Sequence, residues 1–463
     1  MQPLPRPLIS FERIIALLTF SNILRTLCYL IIVFGILYRI DYIVEFNPLH
    51  HIFSDTQRHW EQGIDVLRFD PMSQTDPVVF QLYIASLAKL TLKIPELVAF
   101  YTILLAIITP WVWYRFMREL QPSKNAALLG WAALSLVPSW ISIYGYFMQE
   151  TLLLPLLGMT LYATWRCKRK TTTATFMLMV ALWIVTGLTR GVIIPMAAVA
   201  CTWLWLAQDK KVEKAAWSLL LLGLIMGPLT YRSFNIMHIF APHGVGHMNM
   251  VYARSGALSI EMQYDREGAR WGYIFQSPAA EAKPFAPFSD WQSQRKGRAY
   301  AFVKVDNGMV DWEKAFEKYP LTLDKYLWIT RDNLILLFFS ESWPDSNRAR
   351  TIGEINYQTR WMWLLLFLGC IVTAAFKWPQ QKHYLLLPSL ILTWFIVQGL
   401  LPISVNEGRY RMPLIGLVIA WMVLLCNMKI PKIDAQTASE ADSASEPATE
   451  PATATATATA TKE

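Results

Sequence analysis

The sequence predicts an all-α polytopic membrane protein with about ten transmembrane helices, and three observations lead there. Of 463 residues, 54% are hydrophobic and only 16% charged, against about 25% charged in an average soluble domain. Twenty Trp, 19 Tyr and 23 Phe suit two interfacial belts, where an aromatic ring keeps one edge dry and the other wet. The formal net charge of +8 is carried in short clusters between apolar stretches, the pattern of membrane orientation signals. That placement excludes a nucleic-acid surface. Cys28, Cys167, Cys201, Cys370 and Cys426 all lie in or beside apolar segments, so no disulfide framework is expected.

A bilayer-crossing helix needs about 20 apolar residues, because every backbone amide must be satisfied within its own segment. The first span falls within 14–38, preceded by Arg6 and Arg13 and interrupted by Arg25, with no cleavage site after it. The next six are 99–117, 126–146, 151–165, 176–189, 192–207 and 215–231. Three more follow at 361–376, 384–400 and 413–428. Basic clusters after the second, fourth, sixth and eighth spans (Arg115, Arg118 and Lys124; Arg166 to Lys170; Lys210, Lys211 and Lys214; Lys377 and Lys382) then share one side, the cytoplasmic one. This alternation requires 76–92, with Lys89, to lie on the outer surface as an amphipathic helix, and 327–339 is a second such helix.

The chain accordingly divides into an N-terminal membrane module (1–232) with a first outer loop at 41–95, a large outer loop (233–360), C-terminal membrane helices (361–428) and a tail (429–463). The tail is rich in Ala, Thr, Ser, Glu and Pro, a composition that cannot bury a core, and is expected to be disordered.

Chemistry should reside in the outer loops. Around Asn47-Pro48-Leu49-His50-His51, Ser54 precedes a short helix from Asp55. There Asp55 and His59 share a face at i, i+4 spacing. Asp55 can act as a general base, or be only a first-turn acid favoured by the helix dipole. In Glu407-Gly408-Arg409-Tyr410-Arg411-Met412-Pro413, two arginines at the outer end of the last span can hold a phosphate in fork geometry or merely snorkel. Arg190 sits in the outer turn between the fifth and sixth spans and can join them. Glu150 opens the fourth span, serving either its N-terminus or a catalytic group. Asp76, before Pro77, reads by default as an exposed loop acid at a helix start. His238, His243 and His247 cluster in a Gly- and Pro-containing loop without a required carboxylate, so no cofactor is called for and a divalent metal is not indicated. There is no P-loop, dinucleotide fingerprint or nucleophile elbow.

These features resemble the GT-C fold of polytopic glycosyltransferases. The likeness is to the bacterial branch near protein O-mannosyltransferases and the lipid A aminoarabinose transferase. It rests on the loop acid, the following surface helix, the seven-span first module, the large outer loop and above all the Glu407 to Pro413 string. The resemblance implies Asp55 as catalytic base, with Glu150 as a second catalytic acid. Arg409 and Arg411 become donor-phosphate ligands, and His59, Asp76, Arg190, Glu407 and Tyr410 belong to the substrate site. Relatives often carry two adjacent acids and then a tyrosine, where this chain has Asp55-Thr56 with His59 or Trp60 in the aromatic position. Where relatives have Tyr-Pro-Pro, it has Thr75-Asp76-Pro77, which makes Asp76 a rival base. The implied activity is inverting sugar transfer from a polyprenyl-phosphate donor to a lipid, glycan or protein acceptor. The implied setting is the periplasmic face of a bacterial inner membrane, with both termini cytoplasmic. A polyprenyl-diphosphate-dependent ligase or polymerase and a lipid or polysaccharide transporter are the alternatives.

Overall fold

The structure, a computed structural model, describes residues 20–52, 54–64, 76–120, 123–207, 209–237, 240–242, 359–378, 384–401 and 408–427. It also describes 320–323 and isolated helical positions between 326 and 355, with strand residues at 259–265, 270–276, 305–306 and 309–310. The 429–463 tail, Glu407 and the His238, His243 and His247 cluster lie outside the described residues.

The described chain is helical apart from two short antiparallel ribbons, Ser259–Asp265 with Arg270–Gln276 and Val305–Asp306 with Met309–Val310. These ribbons qualify the all-α expectation and fall in the 233–360 loop. Helix α1 is Phe20–Glu45, followed by a 3-10 turn at Pro48–His50. Two short helices come next, α2 (Ser54–Ile64) and α3 (Val78–Thr91). The bundle continues through α4 (Pro95–Glu119), α5 (Lys124–Ser135), α6 (Ser139–Ser142), α7 (Gln149–Arg169), α8 (Thr173–Thr189), α9 (Ile194–Leu206) and α10 (Lys211–Met237). It closes with α11 (Arg360–Phe376), α12 (Leu386–Phe395) and α13 (Met412–Asn427).

Among the described residues, four helices are long and apolar enough to cross a membrane, namely Ser21–His50, Pro95–Glu119, Lys211–Ile236 and Arg409–Cys426. Several others are apolar but shorter, among them Thr173–Thr189 and Leu386–Leu400. The chain is a helical, membrane-embedded protein. Its surface agrees, since α1 exposes Leu27, Leu30, Val33, Phe34 and Leu37, and α10 exposes Trp217, Leu219, Leu220 and Leu224. Water would penalise so large an apolar surface, whereas lipid tails accept it. By contrast α13 is buried along most of its length.

The expected single span at 126–146 is instead a broken helix. Lys124–Ser135 and Ser139–Gly145 meet at 67°. Pro138 has no N–H to continue the ladder and restricts Val137 before it, so the last carbonyls of α5 lose their helical donors. Arg39, buried inside α1, supplies donors: Nη1 donates to Ser135 O and Nη2 to Leu134 O (3.2 Å), while Nη1 also donates to Gly35 O of its own helix (3.0 Å). The approach is close enough that a Cβ on Gly35 would stand 2.6 Å from Ser135 O, so glycine is required there. The expected span at 384–400 likewise ends differently, as α12 relaxes into a π-turn at Ile396–Leu400.

Helix α3 also departs from a purely surface-lying helix. It buries Phe80, Ile84, Leu87 and Ala88 with Trp60 of α2, Val98 of α4 and Phe147, while Leu82 and Leu90 stay exposed beside Lys89. The 327–339 segment is described only at isolated positions. Those are helical, and Asn333 and Leu337 are buried.

Helix directions sort the charges. Glu45, Pro95, Gln149, Thr189 and Gly408 are helix ends at the end of the bundle that carries the candidate site. The opposite end holds the Arg169–Glu119 ion pair (2.8 Å), Lys377 donating to Leu425 O (2.7 Å) and Lys168 over the Tyr384 ring. The antiparallel run of α7 and α8 is fixed by Thr160 to Thr186 (2.8 Å) and Trp183 Nε1 to Thr164 Oγ1 (3.0 Å). All five cysteines are free.

Candidate active site

Asn47 sets the entry to the first loop. Its side-chain oxygen accepts from Leu49 N (3.0 Å) and its amide donates to Pro95 O (2.8 Å), tying the loop to the start of α4. Helix α2 then seats on α3 and on the linker before α7 through Trp60 stacked on Phe147 (4.7 Å) and His59 edge-on to Phe80 (5.1 Å). Those apolar contacts aim the other face of α2, with Asp55 and Arg58, at the bundle.

The expected Asp55–His59 partnership is replaced by a different pairing. His59 Nδ1 lies 3.0 Å from Asp76 Oδ2, and Asp55 Oδ1 accepts from Arg58 Nη1 at 2.8 Å, an i, i+3 contact. Arg58 also bridges to Asp76 through Nε (3.2 Å) and Nη2 (3.3 Å). Asp76, read from sequence as an exposed loop acid, is only 2% exposed, because Pro77 turns it inward at the head of a packed helix. Burial alone would raise its carboxyl, but charge and hydrogen bonding from His59, then from Arg58, outweigh burial and hold it at about 2. A carboxylate so engaged is a poor proton acceptor. Asp55, at 8% exposure, is the less enclosed of the two acids.

Three more segments bring their charges to Asp55. Glu150, in the first turn of α7, is 1% exposed and forms an ion pair with Arg190, the residue that ends α8. Arg409 reaches toward both acids: Nη2 is 3.7 Å from Asp55 Oδ2 and Nε is 3.8 Å from Glu150 Oε1. These are ion pairs beyond hydrogen-bond length. Arg409 Nη1 also contacts Met148 Sδ at 3.5 Å. The Tyr410 ring lies under the Arg190 guanidinium at 4.3 Å and near that of Arg409 at 5.6 Å, so it orients two cations. Trp140 of α6 donates to Met412 O (3.0 Å), anchoring the 3-10 turn Gly408–Arg411 at the head of α13.

The structure therefore gathers Asp55, Glu150, Arg190, Arg409 and Tyr410, with His59 and Asp76 one residue removed behind Arg58. Arg411 takes a separate direction: it is buried and donates to Leu337 O at 3.4 Å. Arg58 was missed by the sequence reading although it shares the α2 face one turn from Asp55. Its signal was the i, i+3 spacing, passed over for the i, i+4 histidine. Among the described residues, no group of three His, Cys, Asp or Glu side chains is placed to share a metal ion.

Carboxylates and guanidiniums buried side by side can do two things. An acid freed from its cation can take a proton, and arginines already converged on one point can receive an anionic group. No protein-family model matches this chain, and no curated protein matches it.

Proposed function

We propose that the chain is a membrane glycosyltransferase moving a sugar from a polyprenyl-phosphate donor to an acceptor with inversion at the anomeric carbon. The observation that carries this reading is the convergence of Asp55, Glu150, Arg190 and Arg409, from four separate segments, at one end of the bundle. Charge of that density inside a membrane protein is costly unless a function uses it.

In the proposed reaction Asp55 accepts the proton of an acceptor hydroxyl or amine as that atom attacks the anomeric carbon. The bond from that carbon to the phosphate oxygen breaks, and its electron pair leaves on polyprenyl phosphate. Arg409 and Arg190 receive the growing negative charge, with Tyr410 holding their planes, and Glu150 keeps both cations in place between turnovers. Arg411 braces the 3-10 turn against the Leu337 segment and serves the phosphate from there. Asp76 positions His59 and Arg58, which leaves Asp55 as the base. The GT-C-like arrangement of about ten spans belongs to the same proposal. So does a bacterial inner membrane with cytoplasmic termini, a setting supported by the basic residues gathered opposite the site.

The test is transfer by purified protein in lipid from a panel of polyprenyl-phosphate sugars. Release of free polyprenyl phosphate by wild type, abolished in Asp55→Asn and in Arg409→Ala, is the expected result. A carrier left intact across the panel would instead favour a diphosphate-dependent ligase or a transporter.

A further inference from the structure

The end of α12 holds a polar group that the proposed chemistry does not use. Gln398 sits in the middle of Ile396-Val397-Gln398-Gly399-Leu400, where the helix widens to a π-turn closed by Leu401 N donating to Ile396 O at 3.3 Å. The residue is 1% exposed, and among the described residues neither its amide nitrogen nor its amide oxygen has a hydrogen-bond partner. Its neighbours Val397 and Gly399 are buried as well. A carboxamide enclosed with both functions unmet is destabilising. Leucine or methionine would fill the volume without that loss, so fold stability does not account for glutamine here. π-Turns inside helices concentrate at functional sites because they shift side chains out of the helical register.

The position of the turn relates it to the arginine cluster. The Leu334 side chain packs on Gly399, and Asn333 Nδ2 reaches Leu401 O at 3.5 Å. Three residues beyond Leu334, Leu337 O accepts from Arg411. A single segment thus touches both the π-turn and the 3-10 turn bearing Arg409, Tyr410 and Arg411. The phenyl rings of Phe338 and Phe367 flank Phe395 at 5.5 and 4.8 Å, fixing the base of the π-turn.

We infer that Gln398 recognises the glycosyl part of the donor, its amide donating to and accepting from ring hydroxyls while the arginines hold the phosphate. This rests on the proposed donor class. A side chain that is donor and acceptor at once matches a hydroxyl, which has both functions, and matches neither a phosphate nor a hydrocarbon tail.

The experiment compares binding of bare polyprenyl phosphate and of polyprenyl-phosphate hexoses to the full chain in lipid nanodiscs, for wild type and Gln398→Met, with Gln398→Leu as a second replacement. The expected result is that the sugar adds affinity in wild type and that either replacement weakens the glycosylated carrier about three- to tenfold, as for one or two neutral hydrogen bonds. Bare carrier should bind unchanged, and the thermal midpoint should rise because an unmet polar group is gone. A rise in the midpoint with unchanged affinity for every glycosylated carrier overturns the inference and assigns the amide to water. Binding of bare carrier with no gain from any sugar overturns it too, while leaving the carrier site standing. Failure of wild type to bind either carrier removes the donor reading itself, and the inference with it.

Discussion

Asp76 keeps its negative charge although almost no solvent reaches it, and that has a measurable pH signature. Its carboxyl is lowered from 3.8 to about 2 in the fold. A lowered carboxylate contributes stability that is present above the unfolded value and lost as pH falls through the folded one. For this shift the contribution is about 2 kcal/mol. Asp76→Asn is expected to unfold at lower temperature than wild type at pH 7, with the two curves converging between pH 4 and 2. Melting curves that stay parallel over that range would show that the His59 and Arg58 contacts do not hold the charge. Asp55→Asn is expected to fold but to melt below wild type, because it withdraws a carboxylate from Arg58 and the buried Arg409, and to lose about 10²–10⁴-fold in transfer rate. Equal transfer by this variant would reassign the base. At this scale Asp55, Glu150, Arg190 and Arg409 were legible in the sequence, since a charge beside an apolar run demands a reason. Arg58 was not, because an arginine inside the polar run Ser54-Asp55-Thr56-Gln57-Arg58-His59 looks like any solvated loop residue. Gln398 was hidden similarly: one amide between Trp394-Phe395-Ile396-Val397 and Gly399-Leu400-Leu401 does not interrupt an apolar pattern.

Helix α5 shows how elements depend on residues far from them. Its carbonyls at Leu134 and Ser135 are closed by a guanidinium from α1 rather than by its own chain. Removing the charge leaves those groups facing an apolar interior. Arg39→Met is therefore expected to lower stability by about 2 kcal/mol or more, whereas Arg39→Lys should recover part of that, having fewer donors to share. Gly35→Ala should act on the same junction by steric means, since its Cβ meets Ser135 O, at a cost of about 1–3 kcal/mol. Thermal scans in nanodiscs measure all three, and a wild-type midpoint in Arg39→Met would remove the capping role. The break itself was foreshadowed by Pro138. It was read through because Ala, Leu, Val and Trp continue on both sides of it, and hydropathy averages do not register a single missing donor. Arg39 was unreadable for the opposite reason: a basic residue in the last turns of a span looks like interfacial snorkelling, and only the register between α1 and α5 turns it inward.

Across the whole molecule, the alternation of helices puts the carboxylate–arginine cluster at one end and Arg115, Arg166, Arg169, Lys170 and Lys377 at the other. Single cysteines introduced at exposed sites in a cysteine-free background test this directly. Glu61→Cys is expected to react with a membrane-impermeant maleimide applied outside intact cells, and Lys170→Cys only after permeabilisation. Labelling of both from one side would overturn the alternation. Hydropathy made the helical membrane class plain, and the extra short helices were recoverable from their apolar runs. The lengths were less so: 13 residues in α9 and 17 in α8 fall short of the roughly 20 that a bilayer asks for. At about 1.5 Å per residue, α8 reaches about 26 Å, against about 39 Å for the 26 residues of α1. The turn joining α8 to α9, where Arg190 stands, therefore lies between two short helices. Lipid beside such helices must thin to match them. A lipid-linked molecule arriving there would keep its hydrocarbon tail straight among its neighbours and have a shorter way to carry its polar head inward.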